Sequence, residues 1–457
     1  MAGLMAARVL SDHFERVTVV ERDRFPAEPA PRKGVPQSRH VHALLKRGRV
    51  TLERLFPGIQ EELVAAGAPS LDMAADIAWL TPAGWGIRFP SDLTFIPSSR
   101  ELLEWSVRRR LAAFANVCFL EGCEIVGLLP DAQATCVAGV RIHPRNGSDG
   151  RNGARLLYAD LVIDASGRGS RAPKWLEALG YPRPQETTVD PHLGYASRVY
   201  RRPPGFRADW RMIFLQAAPP TFTRGGLLLP IEGDRWMVTL SGRGRDYPPT
   251  DEAGFMDFAR SLRSPLLYES IKDAEPLTPI VGYRATENRR RHYEKLSRQP
   301  EGFLVVGDAA CAFNPVYAQG MTTGALGAEV LDECLRKQRQ RRPDGDLTGL
   351  ARGFQEKLAK VNKAPWTLAT GEDFRVRGVE GGTPNAVTRL MHRYIDQVLL
   401  LGTKDASVRL VLLETFNLLK PPPALFASAI PLKVLREAAR LGTEEAAATR
   451  DKMPEVA

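Results

Sequence analysis

The sequence predicts an α/β fold in three parts: strands alternating with helices, an antiparallel sheet, and a helical C-terminal region. Three observations predict it. The apolar run 303–306 stops on Gly307-Asp308, crosses a small-residue loop holding Pro315 and Gly320, and opens into a helical stretch at 321–335. Residues 193–242 carry short alternating apolar runs separated by Pro/Gly turns, the pattern of an antiparallel sheet. Beyond residue 340 the apolar spacing is helical, broken at Pro365-Trp366 and across 379–384.

A chain of 457 residues holds two or three domains. Its 44% apolar and 25% charged content is ordinary for a globular protein. It has no uncharged apolar run of about 18 residues, so no membrane span is expected. The first residues lack the basic-then-apolar layout of a signal peptide. Cys118, Cys123, Cys136, Cys311 and Cys334 show no paired metal spacing and read as reduced thiols of a cytoplasmic protein. The net charge of +10 suits anionic ligands. Its densest clusters, 108–110 and 289–291, read as solvated helix face or turn, and no nucleic-acid partner is expected.

Taken in order, residues 1–10 read as a helix and 16–20 as a strand ending on Glu21. That is the second half of a dinucleotide-binding βαβ unit, in which an acid about 20 residues after the glycines holds a ribose hydroxyl. Gly3 is then the third glycine, allowing close helix–strand packing, and Glu21 the ribose acceptor. The first strand and first two glycines of such a unit are not in the sequence. A buried strand carries large apolar side chains worth about 1.5–3 kcal/mol each. The expectation is therefore that a strand and a Gly-rich turn precede Met1 in the natural protein.

Residues 32–42, Arg-Lys-Gly-Val-Pro-Gln-Ser-Arg-His-Val-His, form a polar loop ahead of a helix at about 43–55. His40 and His42 have no third ligand at matching spacing, so no metal is expected. Arg39 and His40 are candidate cofactor contacts from this loop. Short strands between 77 and 95 belong to a substrate layer. A helix then starts with Ser98 or Ser99 as N-cap. Arg100 lies in its first turn, where a cation opposes the helix dipole and so suggests an anionic partner.

Residues 117–145 read as a meander of short strands, with Gly139 and the pairs Asn146-Gly147 and Asn152-Gly153 at turns. Residues 160–171 give a buried strand opening into a glycine-rich turn that holds Asp164, Gly167 and Ser170, with Arg168 and Arg171 as phosphate partners. Strands at 193–199, 212–215, 226–230 and 235–240 form a substrate floor, covered by helices at 252–262 and 265–273. Residues 280–284 lead back to the first domain. Helices near 386–401 and 406–418 carry a Leu/Val-rich face that packs on the substrate domain in preference to a membrane surface. Residues 444–457 are expected to fray. The predicted domains are 1–75, 96–190 and 280–375 for the cofactor, 76–95 and 191–279 for the substrate, and 376–457 for the helical end.

Gly3 to Glu21, Asp164 to Ser170, and Gly307-Asp308 to Gly320 stand in the order of the cofactor motifs of FAD-dependent monooxygenases of the p-hydroxybenzoate hydroxylase fold. The chain resembles that family over most of residues 1–340. Its Lys-Gly-Val-Pro-Gln-Ser-Arg-His-Val-His segment is similar to bacterial polyether epoxidases and squalene-epoxidase-like enzymes. The resemblance implies an FAD/NAD(P)-binding Rossmann-like domain beside the antiparallel substrate domain. It implies that Asp308, in a motif shared with Gly307 and Pro315, binds the ribityl chain. It further implies that the amides of Gly320, Met321 and Thr322 face the flavin pyrimidine and that Arg100 reaches the flavin pyrophosphate. Asp164 and Gly167 would contact FAD and the nicotinamide pyrophosphate. Cys311 departs from the His that many relatives carry.

The implied reaction takes electrons from NAD(P)H and passes oxygen through a C4a-hydroperoxyflavin to a hydrophobic small molecule. No catalytic base is evident, which suits epoxidation of a polyketide or isoprenoid alkene better than hydroxylation of a phenol. The alternatives are an aromatic hydroxylase, a flavin-dependent isoprenoid reductase, and a truncated, non-catalytic flavoprotein. The Trp-x-Trp-x-Ile-Pro motif of flavin halogenases is absent from the sequence.

Overall fold

The helix Ala2–Leu10 buries Leu4, Met5, Ala6, Ala7 and Val9, and it feeds the strand Val17–Glu21. The computed structural model describes residues 1–133, 135–145, 154–427 and 429–437. The turns expected at Asn146-Gly147 and Asn152-Gly153, and the tail 444–457, lie outside the described residues. Strand Val17–Glu21 pairs in parallel with Val117–Glu121, Glu21 standing opposite Glu121. Residues 117–121 thus leave the meander the sequence suggests. Gly122, at φ +67°, turns the chain from that parallel pair into the antiparallel strands Cys123–Pro130, Val137–Pro144 and Arg155–Tyr158. Local alternation identifies a strand but not the partner that tertiary packing selects.

A second parallel pair joins Val162–Asp164 to Phe303–Val305, with Asp164 opposite Val305. Two motifs distant in sequence therefore end side by side. The helix Gly320–Arg341 packs against Ala2–Leu10 and Lys46–Leu55. Small residues permit that approach: a β-carbon on Gly48 would lie 2.7 Å from Thr322 Oγ1 and 2.9 Å from Thr322 Cα. The helix expected from about residue 43 starts at Lys46, because Leu45 N–H is drawn to Thr322 Oγ1 at 3.2 Å.

The sheet expected to face a substrate has seven strands in the order Val281–Tyr283, Gly194–Arg201, Arg235–Gly242, Arg224–Ile231, Met212–Leu215, Ile77–Thr81, Gly84–Trp85. It is antiparallel except where Met212–Leu215 runs parallel to Ile77–Thr81. Residues 281–283 are its edge strand, paired with 195–197, and do not yet return to the cofactor layer. Strand alternation gives the sheet two faces. Ala196, Val238 and Leu240 pack under Phe255 and Phe258 of the helix Glu252–Arg260. Val199, Met237, Leu229 and Phe214 line the other face, beneath Leu410, Leu413 and Phe416 of the helix Ala406–Phe416. The C-terminal helices therefore roof the face turned away from Glu252–Arg260.

The arginine clusters are solvated only in part, with Arg109 exposed and its neighbours half-buried. Arg109 and Arg110 pair with Glu62, and Arg108 donates to Pro26 O. Arg291 is buried in the strand Asn288–Arg291 and pairs with Glu186. Among the described residues no helix is long and apolar enough to cross a membrane.

Candidate active site

The strand Phe303–Val305 runs out at Gly307, whose φ of +58° lies in the left-handed region. A β-carbon there would stand 2.6 Å from the Ala2 β-carbon, so the turn and the pressed helix both require glycine. Asp308 follows in the short turn Gly307–Ala309. A β-carbon on Gly320 would lie 3.6 Å from Asp308 Oδ1, which puts the carboxylate at the start of the helix Gly320–Arg341. The amides of Gly320, Met321 and Thr322 are first-turn donors that the helix cannot satisfy. The Asp308 side chain retains 37% exposure, yet burial in the walls around it pushes its pKa up, against the pull of Arg168 Nε at 4.0 Å. The carboxylate thus faces a recess that a ligand can reach and bulk water does not flood. Pro315 opens the turn Pro315–Tyr317, which Asn314 caps by accepting Val316 N–H at 3.2 Å.

Asp164 shapes the neighbouring turn. Its Oδ1 accepts Ser166 N–H at 2.9 Å and its Oδ2 accepts the Ser170 hydroxyl at 2.5 Å. Gly167 stands at φ +76° with open space where a β-carbon would be. Arg168 ties this turn to the Asp308 loop by donating to Glu287 O at 2.7 Å and Phe313 O at 2.5 Å. Arg171 lies at the exposed rim, 3.8 Å from Glu124.

At the other end, a β-carbon on Gly3 would come within 3.0 Å of the Ala165 β-carbon, the close packing its spacing suggests. Glu21 is engaged already: Oε1 accepts Asp23 N–H at 3.1 Å and Oε2 meets Arg32 Nη1 at 3.0 Å. Arg32 also reaches Asp23 at 3.2 Å and Glu104 at 2.8 Å. Arg100 is buried and pairs with Glu104 at 2.7 Å. Burial works to raise the Glu104 pKa, but the surrounding cations, Arg100 foremost, bring it down to about 2. Two cavities share Arg100 in their walls: one reaches Arg32 and Ser38, the other His42 and Met321. Thr322 is fully buried, its hydroxyl oxygen accepting Leu45 N–H. Arg39 is exposed, because the turn Pro36–Arg39 points Ser38 inward.

His40 leaves that loop toward the substrate sheet. Its Nδ1 lies 2.7 Å from Ser197 Oγ, which lies 2.6 Å from Thr239 Oγ1. Its ring sits between Tyr195 and Tyr283, at centroid distances of 6.0 Å and 5.5 Å. Burial, reinforced by Arg39, brings its pKa down to about 4, so the imidazole is neutral near pH 7. The loop from His40 to Leu45 thereby links the sheet to the first turn of the Gly320 helix.

One cluster escapes sequence reasoning. Asp373 has no exposed surface and accepts from Asn288 at 2.6 Å, from Asn314 at 3.0 Å and from the Tyr317 hydroxyl at 2.7 Å. Its burial pushes its pKa up. It clamps the loop between Asp308 and Gly320 to the helix Lys363–Asp373. No local pattern marks it, since its partners come from separate segments.

An accessible carboxylate at a helix start, a glycine turn beside it, and a buried arginine between two cavities line one side of the site. A mixed polar and apolar sheet face lines the other. Solved structures share this architecture. PqsL, a probable FAD-dependent monooxygenase from Pseudomonas aeruginosa, has a TM-score of 0.59 and 19% identity over 81% of this chain and 93% of that one. The p-nitrophenol 4-monooxygenase PnpA from Pseudomonas putida DLL-E4 has a TM-score of 0.63 and 17% identity over 92% and 96%. The flavin-dependent brominase Bmp2 has a TM-score of 0.65 and 13% identity over 97% of both chains. The fold is that of the FAD-dependent monooxygenases and halogenases. No family model matches the chain. It is 36% identical over 372 residues to Protein Rv3254 of Mycobacterium tuberculosis (strain ATCC 25618 / H37Rv), covering 80% of this chain and 77% of that protein. The chain belongs to the same family as Protein Rv3254.

Proposed function

We propose that this chain is an FAD-dependent monooxygenase that takes electrons from NAD(P)H and delivers one atom of O2 to an electron-rich carbon of a hydrophobic small molecule. The observation that carries the reading is Asp308 set against the free amides of the Gly320 helix, with the substrate sheet facing that helix across the His40 loop. The residues fit FAD. Asp308 offers acceptors for ribityl hydroxyls, and the amides of Gly320, Met321 and Thr322 offer donors for a ring carbonyl or a developing negative charge. Arg100 offers a buried cation for the pyrophosphate, and Asp164 holds the Gly167 turn open. FAD, once bound, supplies the electron transfer and the activation of O2. The chain's own part is to position the substrate and exclude water, for which the roof from Ala406–Phe416 and the floor from Val199, Phe214, Leu229 and Met237 are suited.

Two substrate chemistries divide this reading. Alkene epoxidation rests on the similarity of the 33–42 segment to polyether and squalene-type epoxidases. Aromatic hydroxylation is favoured by His40, a buried neutral imidazole whose Nε2 has no partner among the described residues and can hydrogen-bond a phenolic oxygen. The name of PnpA, a p-nitrophenol 4-monooxygenase, points the same way. Two readings have less support: a halogenase lacks its tryptophan motif here, and a reductase would consume no oxygen. The test is reconstitution with FAD, then NADPH and O2 consumption over a panel of polyenes and phenols. Product bearing one atom from 18O2 is expected. NADPH-dependent turnover without oxygen incorporation overturns the reading.

A further inference from the structure

Three polar atoms beside the substrate sheet are buried without a partner: His40 Nε2, the Tyr195 hydroxyl and Arg243 Nε. Their residues are 3%, 7% and 5% exposed. Sheet register brings them together. Tyr195 stands opposite Ser241 and Gly194 opposite Gly242, and Arg243 follows directly where that strand ends. Ser197, which anchors His40, lies on the Tyr195 face. Arg243 is also the first charge felt by the Tyr195 phenol after burial itself.

Buried polar groups are hydrogen-bonded in folded proteins, and a cluster of orphans marks a missing partner. All three orphans can donate. A guanidinium can only donate. The Tyr317 oxygen meets the Arg243 guanidinium and Asp373 attracts it, but the Asp373 carboxylate is bonded to Asn288, Asn314 and Tyr317 and forms no contact ion pair with it among the described residues, and Nε keeps no acceptor. In one proton arrangement of the Thr239–Ser197–His40 chain, Thr239 donates to Ser197 and Ser197 donates to His40 Nδ1. The hydrogen of the neutral imidazole then sits on Nε2. The Tyr195 hydroxyl completes the set. Three donors without an acceptor match one negatively charged oxygen group. Further along the same face Val199, Met237 and Phe214 pack with Leu410, Leu413 and Phe416, so the surroundings of the three donors are apolar.

We propose that His40, Tyr195 and Arg243 form a head-group subsite for an oxyanion, a phenolate, enolate or carboxylate, carried on an apolar body. That this ligand is the substrate rests on the monooxygenase reading; that the subsite exists does not.

The experiment is calorimetric titration of the full chain, with FAD added, using 2-naphthoate and its neutral counterpart 2-naphthamide. Naphthoate is expected to bind at least about tenfold more tightly, the scale of a charge-assisted hydrogen bond. Arg243→Met should abolish that preference and leave naphthamide affinity unchanged. Tyr195→Phe, which removes one oxygen and no volume, should cut the preference about threefold and serves even if the arginine variant fails to fold. Equal affinities in the wild type, or equal weakening of both ligands by these variants, overturn the subsite. The titration uses neither NADPH nor O2, so the two readings fail separately. A naphthoate preference without oxygen transfer to any ligand sinks the monooxygenase alone. Oxygen transfer without that preference sinks the subsite alone.

Discussion

Asp308 Oδ1 lies 3.6 Å from where a β-carbon on Gly320 would stand, so one carboxylate guards the open end of a 22-residue helix. Neither group has a structural need for the other: a carboxylate capping that helix would bond its amides, and none of those bonds forms. On the proposed reading, the pair is arranged around the flavin. Asp308→Ala is therefore expected to yield protein purified without flavin, with the ratio of absorbance near 450 nm to that at 280 nm falling to background. Retention of stoichiometric FAD by this variant would remove Asp308 from the cofactor site.

Gly307 supports that arrangement from behind. Its φ of +58° costs a side-chain-bearing residue about 1–2 kcal/mol. An added methyl would also press to 2.6 Å from the Ala2 β-carbon, which adds an overpacking cost of about 1–3 kcal/mol. Gly307→Ala should accordingly lower stability by roughly 2–5 kcal/mol, read from urea unfolding of the apoprotein. A loss below that of an ordinary surface substitution would mean the Ala2 helix does not bear on this turn.

What was legible in the sequence follows from how local each cause is. Gly307-Asp308 to Gly320 could be read because left-handed turns, small-residue loops and helix starts leave their marks within a few neighbours. Asp164 to Ser170 was readable for the same reason. The parallel partner of 117–121 was not, because Val17–Glu21 is chosen by packing and not by alternation. His40 could be named from its loop, but not its use, since Ser197 lies 157 residues away. Asp373 left no trace at all: Asn288, Asn314 and Tyr317 are unremarkable where they stand and acquire meaning only by meeting.

Asp373 is the stronger test of that non-local cluster. The carboxylate, fully buried, satisfies donors on Asn288, Asn314 and Tyr317 together. Removing the common acceptor of a buried network strands its donors and costs roughly 3–5 kcal/mol. Asp373→Ala should lower the unfolding midpoint and weaken FAD binding in step, because the loop it clamps leads into the Gly320 helix. A variant destabilised as expected but binding FAD with unchanged affinity would confine Asp373 to a structural role.

His40 gives a pH test whose sign follows from its burial. In the folded chain its pKa is about 4, against 6.5 for an unperturbed histidine, with desolvation as the main cause and Arg39 adding to it. Between those values the unfolded chain binds a proton that the folded chain refuses. The stability tied to a neutral His40 is thus fully present above pH 6.5 and is lost as pH falls toward 4. Over the whole window this amounts to ~3 kcal/mol, and between pH 7.5 and 5 to ~2 kcal/mol. His42, lowered to about 4 as well, is held there first by burial and then by Arg100, which both proteins keep, so the main part of its contribution cancels from the comparison. Urea unfolding at pH 7.5 and 5 should show a drop smaller by ~2 kcal/mol in His40→Asn than in the wild type. An equal drop in the two proteins would mean that His40 is hydrated in the folded chain. Its Nε2 would then have water for a partner, and the argument that this atom awaits a ligand would lose its basis.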